Sequence, residues 1–425
     1  MTNPTGALST EDLAEIDARL ADTDRDLAGL YPGEQAGRQP VHTVYVPGDL
    51  FTAGTVTTWG NEARAALAAH APTSAALADA TGVAPDAVDA VYDAVVAKLS
   101  AEPVEDLRVD FEDGYGARPD DEEDAAVLAA AATLAAAAES GEAPPYYGIR
   151  FKCFEQPTRA RGLRTLDLFV TALADAGAVS DRLVLTLPKV TAVAQVSAMV
   201  WACERLEQAL GLATGQLRFE VQVETPQAIL GADGSALVAP MVHAGRGRVS
   251  GLHYGTYDYS ASLGIAAAYQ SLDHPAADHA KAVMQLAAAG TGVRLSDGST
   301  NVLPIGTTDQ VQAAWRLHAR LVRRSLERGY YQGWDMHPGH LPTRYLATYT
   351  FFRDGLDAVT TRLRSYLEQR AGAVLDEPAT AVALAGFLAR GLDCGAVSES
   401  EVTELVGVDP AALLSLARRG PVVGP

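Results

Sequence analysis

Leu217-Arg-Phe-Glu-Val-Gln-Val-Glu-Thr-Pro-Gln227 alternates without a break: Leu217, Phe219, Val221 and Val223 share one parity, and Arg218, Glu220, Gln222 and Glu224 the other. That period of two is the mark of a strand whose two faces meet different surroundings. Pro226 ends any ladder, so Glu224 is expected at the strand's carboxyl end, where parallel α/β folds place their chemistry. An edge strand with a solvated charged face has the same pattern, and the stretch alone leaves both readings open.

Outward from this stretch the chain repeats one unit: a short β-branched or aromatic run, a turn with Gly, Pro or Asp, then an Ala-rich helical segment. Runs at 42–46, 107–111, 146–151, 183–187, 217–223 and 248–254 are separated by enough chain for crossover helices, such as 163–176 and 192–210. In the second of these Val196, Met199, Val200, Cys203, Leu206 and Leu210 mark one face. So many alternating units predict a parallel sheet closed into a (β/α)8 TIM barrel over residues 41–345.

Both ends depart from that rhythm. Residues 1–40 predict a helical arm, with Leu13, Ile16, Leu20 and Leu27 on one stripe and Ser9 or Thr10 as N-cap. Its stripe is expected to pack on the barrel or on a neighbouring subunit. Past residue 345, helical stretches at 356–370, 378–391 and 399–419 without strands predict a C-terminal helical extension over 346–425, with 381–388 its most buried piece. The segment 121–143, Ala-rich and opening on Asp121-Glu-Glu-Asp124, reads as an exposed helix without a functional role.

Composition narrows the partners. The 33 Lys+Arg against 53 Asp+Glu give a net charge of -20, which opposes attraction to nucleic acid or an anionic membrane. Hydrophobic residues make up 48%, enough for a large core, yet no apolar run approaches the roughly 20 residues of a membrane helix. Cys153, Cys203 and Cys394 have no CxxC or Cys/His ligand spacing, so neither a disulfide framework nor a zinc site is expected. No basic start precedes an apolar run at the N-terminus, and the cytoplasm is the expected compartment.

Four segments gather polar residues at strand ends. In Arg108-Val-Asp-Phe-Glu-Asp-Gly-Tyr-Gly116, the carboxylates of Asp110, Glu112 and Asp113 crowd together, which favours a metal or substrate role over a solvated turn. In Gly148-Ile-Arg-Phe-Lys152, Arg150 and Lys152 share a face and either answer those carboxylates or await an anionic substrate. Lys189, after Pro188, suits an ion pair better than a Schiff-base nucleophile. In Gly251-Leu-His-Tyr-Gly-Thr-Tyr-Asp258, Asp258 lies one βα unit beyond Glu224, so both carboxylates are expected in one cavity; taken alone, Asp258 reads as an N-cap.

In type and order these segments resemble the citrate lyase β-subunit-like group of the HpcH/HpaI aldolase and citrate lyase family. Val44-Tyr-Val-Pro-Gly-Asp49 is similar to its opening strand, Val109-Asp-Phe-Glu-Asp113 to its Asp-Leu-Glu-Asp signature, and Gly148-Ile-Arg-Phe151 to its Arg-bearing strand. Leu187-Pro-Lys-Val190 matches its Pro-Lys strand end, Val223-Glu-Thr225 its metal strand, and Gly255-Thr-Tyr-Asp-Tyr-Ser-Ala-Ser-Leu-Gly264 its Gly-x-x-Asp-x-x-x-x-Leu-Gly loop. Ala287-Ala-Ala-Gly290 with Asp297-Gly298, and Trp334-Asp-Met-His-Pro-Gly339, resemble its last two strand regions. Tyr257 stands where the family often has an acidic residue.

The resemblance implies a homo-oligomeric (β/α)8 barrel with Mg²⁺ (Mn²⁺ as an alternative) held by Glu224 and Asp258. It implies a substrate site of Arg150, Lys152, Gly255 and Thr256, and a catalytic group of Arg150, Glu112 and Asp113 with Lys189 in an electrostatic role. The implied reaction is aldol or Claisen-type cleavage of a small hydroxy- or oxo-carboxylate, or its acyl-CoA thioester, through an enolate that a cation and an arginine stabilise. Malate-synthase-like acyl transfer or thioester hydrolysis, and a barrel that binds metabolites without catalysis, are the alternatives.

Overall fold

Each run read from the sequence forms a strand within two residues of its expected limits: β1 His42–Pro47, β2 Asp106–Asp110, β3 Tyr146–Arg150, β4 Leu183–Leu187, β5 Phe219–Val223 and β6 Val249–Tyr254. Two three-residue strands, β7 Arg294–Ser296 and β8 Gly333–Asp335, complete the set. The computed structural model describes residues 6–35, 37–368 and 377–418; the outer parts of the expected arm and extension, 1–5 and 419–425, and the segment 369–376 lie outside the described residues.

All neighbouring strands pair in parallel, in the order β7-β6-β5-β4-β3-β2-β1-β8. Between β7 and β8 the ring is completed by a parallel bridge of Ser296 with Gln332 and by the bonds Asp297 N–H to Gln332 O (2.8 Å) and Trp334 N–H to Gly298 O (3.2 Å). The architecture is an α/β TIM barrel.

The alternation of β5 explains how the barrel fills. Phe219, Val221 and Val223 are fully buried in the core shared with Val196, Met199 and Cys203 of the helix Val193–Leu210. The polar parity is also buried, and it points inward. Glu220 accepts hydrogen bonds from Arg108 (2.9 Å), Thr186 (2.6 Å) and, across the barrel, Tyr45 (3.2 Å), and lies 2.9 Å from His253 Nε2. Arg108 also holds Asp106, so the interior is a paired ionic layer, the condition under which buried charge is tolerated.

The N-terminal arm divides into two parts. The helix Thr10–Leu30 starts on a capping box, with Ser9 Oγ accepting from Asp12 N–H (3.1 Å) and Asp12 Oδ2 accepting from Ser9 N–H (2.8 Å). Every residue of this helix is exposed, Leu13, Ile16, Leu20 and Leu27 included, so of the two places expected for its stripe, the barrel does not bury it. The segment after it does pack. Gly33 N–H bonds Gly290 O (2.8 Å), Gln39 bonds Leu295 O (3.1 Å) and Val41 N–H bonds Glu105 (2.8 Å), forming a strap across the amino ends of the strands.

The C-terminal extension is not set off from the barrel. One helix, Leu341–Leu367, crosses the expected boundary at 345. It contributes Leu346, Phe352, Leu356 and Leu363 to a second core together with Leu67, Leu77, Val95 and Leu99 of the early helices and Ala381, Ala385 and Leu388 of Pro378–Cys394. The helix Asp120–Ser140 also differs from expectation. Its Glu123 is fully buried, holding Lys152 (2.5 Å), Thr165 (2.6 Å) and Arg161 (3.3 Å). No described helix is long and apolar enough to cross a membrane.

Candidate active site

At the carboxyl ends of the strands a cavity of about 430 Å³ opens among Tyr45, Asp110, Arg150, Glu224, Asp258 and Trp334, with Gly255, Thr256 and Asp113 also on its wall. Six of these come from within or at the ends of β1, β2, β3 and β8 or from just after β5 and β6, so convergence here depends on barrel closure.

Glu224 follows the last residue of β5 and is 1% exposed. Its Oε1 accepts the Lys189 N–H at 2.8 Å, and among the described residues nothing donates to Oε2. Gly255 lies so close that a Cβ there would stand 2.4 Å from both Glu224 Cβ and Oε2. Lys189 has φ +50, a conformation a residue with a side chain adopts at a cost of roughly 1–2 kcal/mol. Burial pushes the Glu224 carboxyl up to about 8; the charges of Asp258 and Glu112 add to this, and Arg150 and the Lys189 N–H oppose it.

Asp258 sits in the first turn of the helix Thr256–Ser262, whose N-cap is Gly255. It is therefore not the cap, and its side chain receives no hydrogen bond from any described residue. Burial raises it too, helped by Asp113 and opposed by Lys189 and Arg150. A buried carboxyl and a half-buried one thus face one cavity, the charge of Asp258 acts on Glu224, and neither is ion-paired with a described residue.

The carboxylates of the β2 end are, by contrast, answered. Arg150, 3% exposed, donates from Nε and Nη2 to Asp110 (2.8 and 2.6 Å), lies 3.6 Å from Glu112, and stacks against Tyr45 (4.7 Å) and Trp334 (5.4 Å). Asp110 also accepts the Glu112 and Gly114 N–H groups (3.0 and 2.9 Å), fixing the turn. Lys189 Nζ bonds Glu112 (2.5 Å) and both oxygens of Asp113 (2.7 Å). Against the cost of burial, those bonds raise Lys189 above its ordinary value, so it is a fixed ammonium and no amine nucleophile. Burial, with the charge of Asp113, raises Glu112, whereas the bond from Lys189 holds Asp113 below its usual range against burial.

Of the residues singled out from sequence, Arg150, Asp113, Glu224, Gly255, Thr256 and Asp258 line the cavity, and Glu112 and Lys189 stand directly behind it. Lys152 does not join them. The β3 ladder stops at Arg150, and the Lys152 ammonium turns to Glu123 and to Phe111 O (2.9 Å), which corrects its expected place in a substrate site. Sequence reasoning gave no role to Tyr45 and Trp334, whose rings meet at 4.5 Å and back Arg150. Their signal was an aromatic at the inward parity near each strand end.

Two hard oxygen donors and an uncompensated charge suit Mg²⁺, which takes one or two carboxylates and fills its octahedron with water and substrate oxygens. A second group of metal-ligating types, His318, Asp335 and His340, has its ligand atoms within 4.8 Å of one another. There the charge is already met: Asp335 takes bonds from Arg344 (2.9 to 3.2 Å) and lies 3.0 Å from His318 Nε2 and from His42 Nδ1. A cation would have to displace that guanidinium.

Fold and mouth together define a TIM barrel with an acidic, arginine-backed pocket. The chain belongs to the family described as "Domain of unknown function (DUF6986)", which matches residues 20–420. No curated protein matches it. Among solved structures it is similar to a citrate lyase from Burkholderia xenovorans, at 18% identity over 89% of this chain and 99% of that one, with a TM-score of 0.58. It is also similar to malate synthase from Haloferax volcanii (14%, 91% and 99%, 0.49). A third is CitE from Mycobacterium tuberculosis, solved with magnesium, acetoacetate and coenzyme A (15%, 88% and 99%, 0.46). The first likeness extends to the fold expected from the resemblance to the citrate lyase and HpcH/HpaI barrels.

Proposed function

We propose that this protein is a Mg²⁺-dependent carbon–carbon lyase acting on a small hydroxy- or oxo-carboxylate, free or as its acyl-CoA thioester, by aldol or Claisen-type cleavage. The observation that carries this reading is Glu224, a buried carboxyl with no ion-pair partner among the described residues, raised to about 8 beside Asp258 at the barrel mouth. Glu224 and Asp258 would hold the metal, which when bound supplies positive charge to an oxygen that gains negative charge as the bond breaks.

The other residues act through position and field. Arg150 stays charged because Asp110 holds two of its nitrogens, and the guanidinium faces the cavity between Tyr45 and Trp334, suited to a substrate carboxylate or carbonyl oxygen. The Lys189 N–H keeps Glu224 aimed at the cavity, while its ammonium neutralises Glu112 and Asp113. The aromatic pair limits water on one side of the reacting centre. A cavity of about 430 Å³ lies in the lower part of the usual ligand-pocket range of roughly 300–1,000 Å³ and fits a small acid.

The test is a panel of hydroxy acids, oxo acids and their acyl-CoA thioesters, assayed with Mg²⁺ and with chelator. Cleavage that needs Mg²⁺ and falls at least about 10²-fold in Glu224→Gln, with the fold retained by circular dichroism, is the expected result. Full activity in that variant would falsify the assignment.

A further inference from the structure

At the opposite pole, where the strands begin, the described strap residues, Gln35 and 37–40 among them, roof a second cavity of about 390 Å³. Five arginines line it: Arg38 and Arg108 are ion-paired, and three others come from separate strand starts. Arg182 precedes β4, Arg218 precedes β5 and Arg294 opens β7. Each is held in place by neutral acceptors: Arg182 by Pro145 O and Ala143 O (both 3.0 Å), Arg218 by Gln35 Oε1 (2.7 Å), and Arg294 by Gly37 O (2.7 Å).

None of the three forms an ion pair with any described residue, and Arg218 Nε is buried without a partner. The charge that acts on Arg218 most closely is the like charge of Arg294, which together with burial pushes its guanidinium below the ordinary value; only Tyr146 acts the other way. The carboxylates nearby are committed elsewhere. Asp106 and Glu220 hold Arg108, and Glu102 and Glu105 hold Arg38. Asp181 is exposed on the rim, and Asp393, in the adjoining cavity, feels the charge of Arg294 without pairing with it.

Elsewhere in the barrel, buried arginines are matched: Arg108, Arg150, Arg248 and Arg344 each hold a carboxylate. In a chain of net charge -20, acids to match three more are plentiful, yet this cavity has none on them. Half-buried cations held near one another in a concave site are stabilised by an anion that bridges them. We propose that the cavity beneath the strap binds a small polyanion, with phosphate or carboxylate groups that reach Arg218 and Arg294 and a third contact at Arg182. The site is separate from the mouth and does not depend on the proposed lyase reaction.

The experiment uses the full chain in a magnesium-free, chloride-only buffer, with pyrophosphate and citrate as probes in calorimetry and thermal unfolding. Saturable binding of at least one probe is expected, with a raised Tm, and whichever binds more tightly identifies phosphate or carboxylate as the natural group. Arg218→Met and Arg294→Met should each weaken binding at least tenfold, while their Tm without probe stays equal or rises, because a like-charge contact is removed. Glu224→Gln should bind the probe as the wild type does. The proposal is overturned if neither probe binds saturably, if both arginine variants bind unchanged, or if Glu224→Gln abolishes binding. A lowered probe-free Tm in both arginine variants would also overturn it, since the arginines would then serve as anchors of the strap.

Discussion

Burial, together with the charges of Asp258 and Glu112, holds a proton on Glu224 up to about pH 8, whereas an unfolded glutamate releases it near 4.5. This group's contribution to the stability of the metal-free protein is therefore full below about 4.5 and is lost as pH rises through about 8. A divalent cation competes with that proton. Apparent Mg²⁺ affinity should accordingly rise by up to about tenfold per pH unit below about pH 8, one proton being displaced, and level off above it, read by calorimetric titration across that range. A flat profile would mean that the carboxyl is already ionised at neutral pH. The position of Glu224 was legible from strand parity and Pro226. The partner of Lys152 was not, because Glu123 lies in an acid-rich first turn after exposed Asp120, Asp121 and Glu122, and only tertiary packing distinguishes it.

At the scale of elements, β3 meets β4 at Gly148, which pairs with Val184. A Cβ at 148 would stand 1.7 Å from Val184 O and 2.8 Å from its carbonyl carbon, so backbone would have to move. Gly148→Ala should cost about 3 kcal/mol or more in urea unfolding, and a loss below about 1 kcal/mol would contradict this register. Strands with alternating or apolar runs were readable because period two survives in the sequence. β7 and β8 were visible only through the family resemblance, since three residues hold too little periodicity. Nor does any local pattern report the φ of Lys189, which follows from what its N–H must reach.

Across the whole molecule, the terminal additions are legible as helices but not by where they pack. Helical period reports which face is apolar and says nothing of what covers it. Every residue of the helix Thr10–Leu30 is exposed, whereas the strap after it bonds β7 and the segments before β2 and β7. Removing residues 1–30 should leave the unfolding midpoint of the barrel within about 1 °C, while removing 1–40 should lower it by about 4 °C or more. Equal effects from the two truncations would refute the division of the arm. The second core ties the extension to the barrel through Leu341–Leu367, so the two should unfold in one transition.

The central claim is a cation site at the mouth, and a crystal grown with Mn²⁺ tests it most directly through the metal's anomalous scattering. The account predicts one strong peak between the carboxylates of Glu224 and Asp258, absent in Glu224→Gln. A peak at His318, Asp335 and His340 instead, or no ordered ion at the mouth, would contradict it.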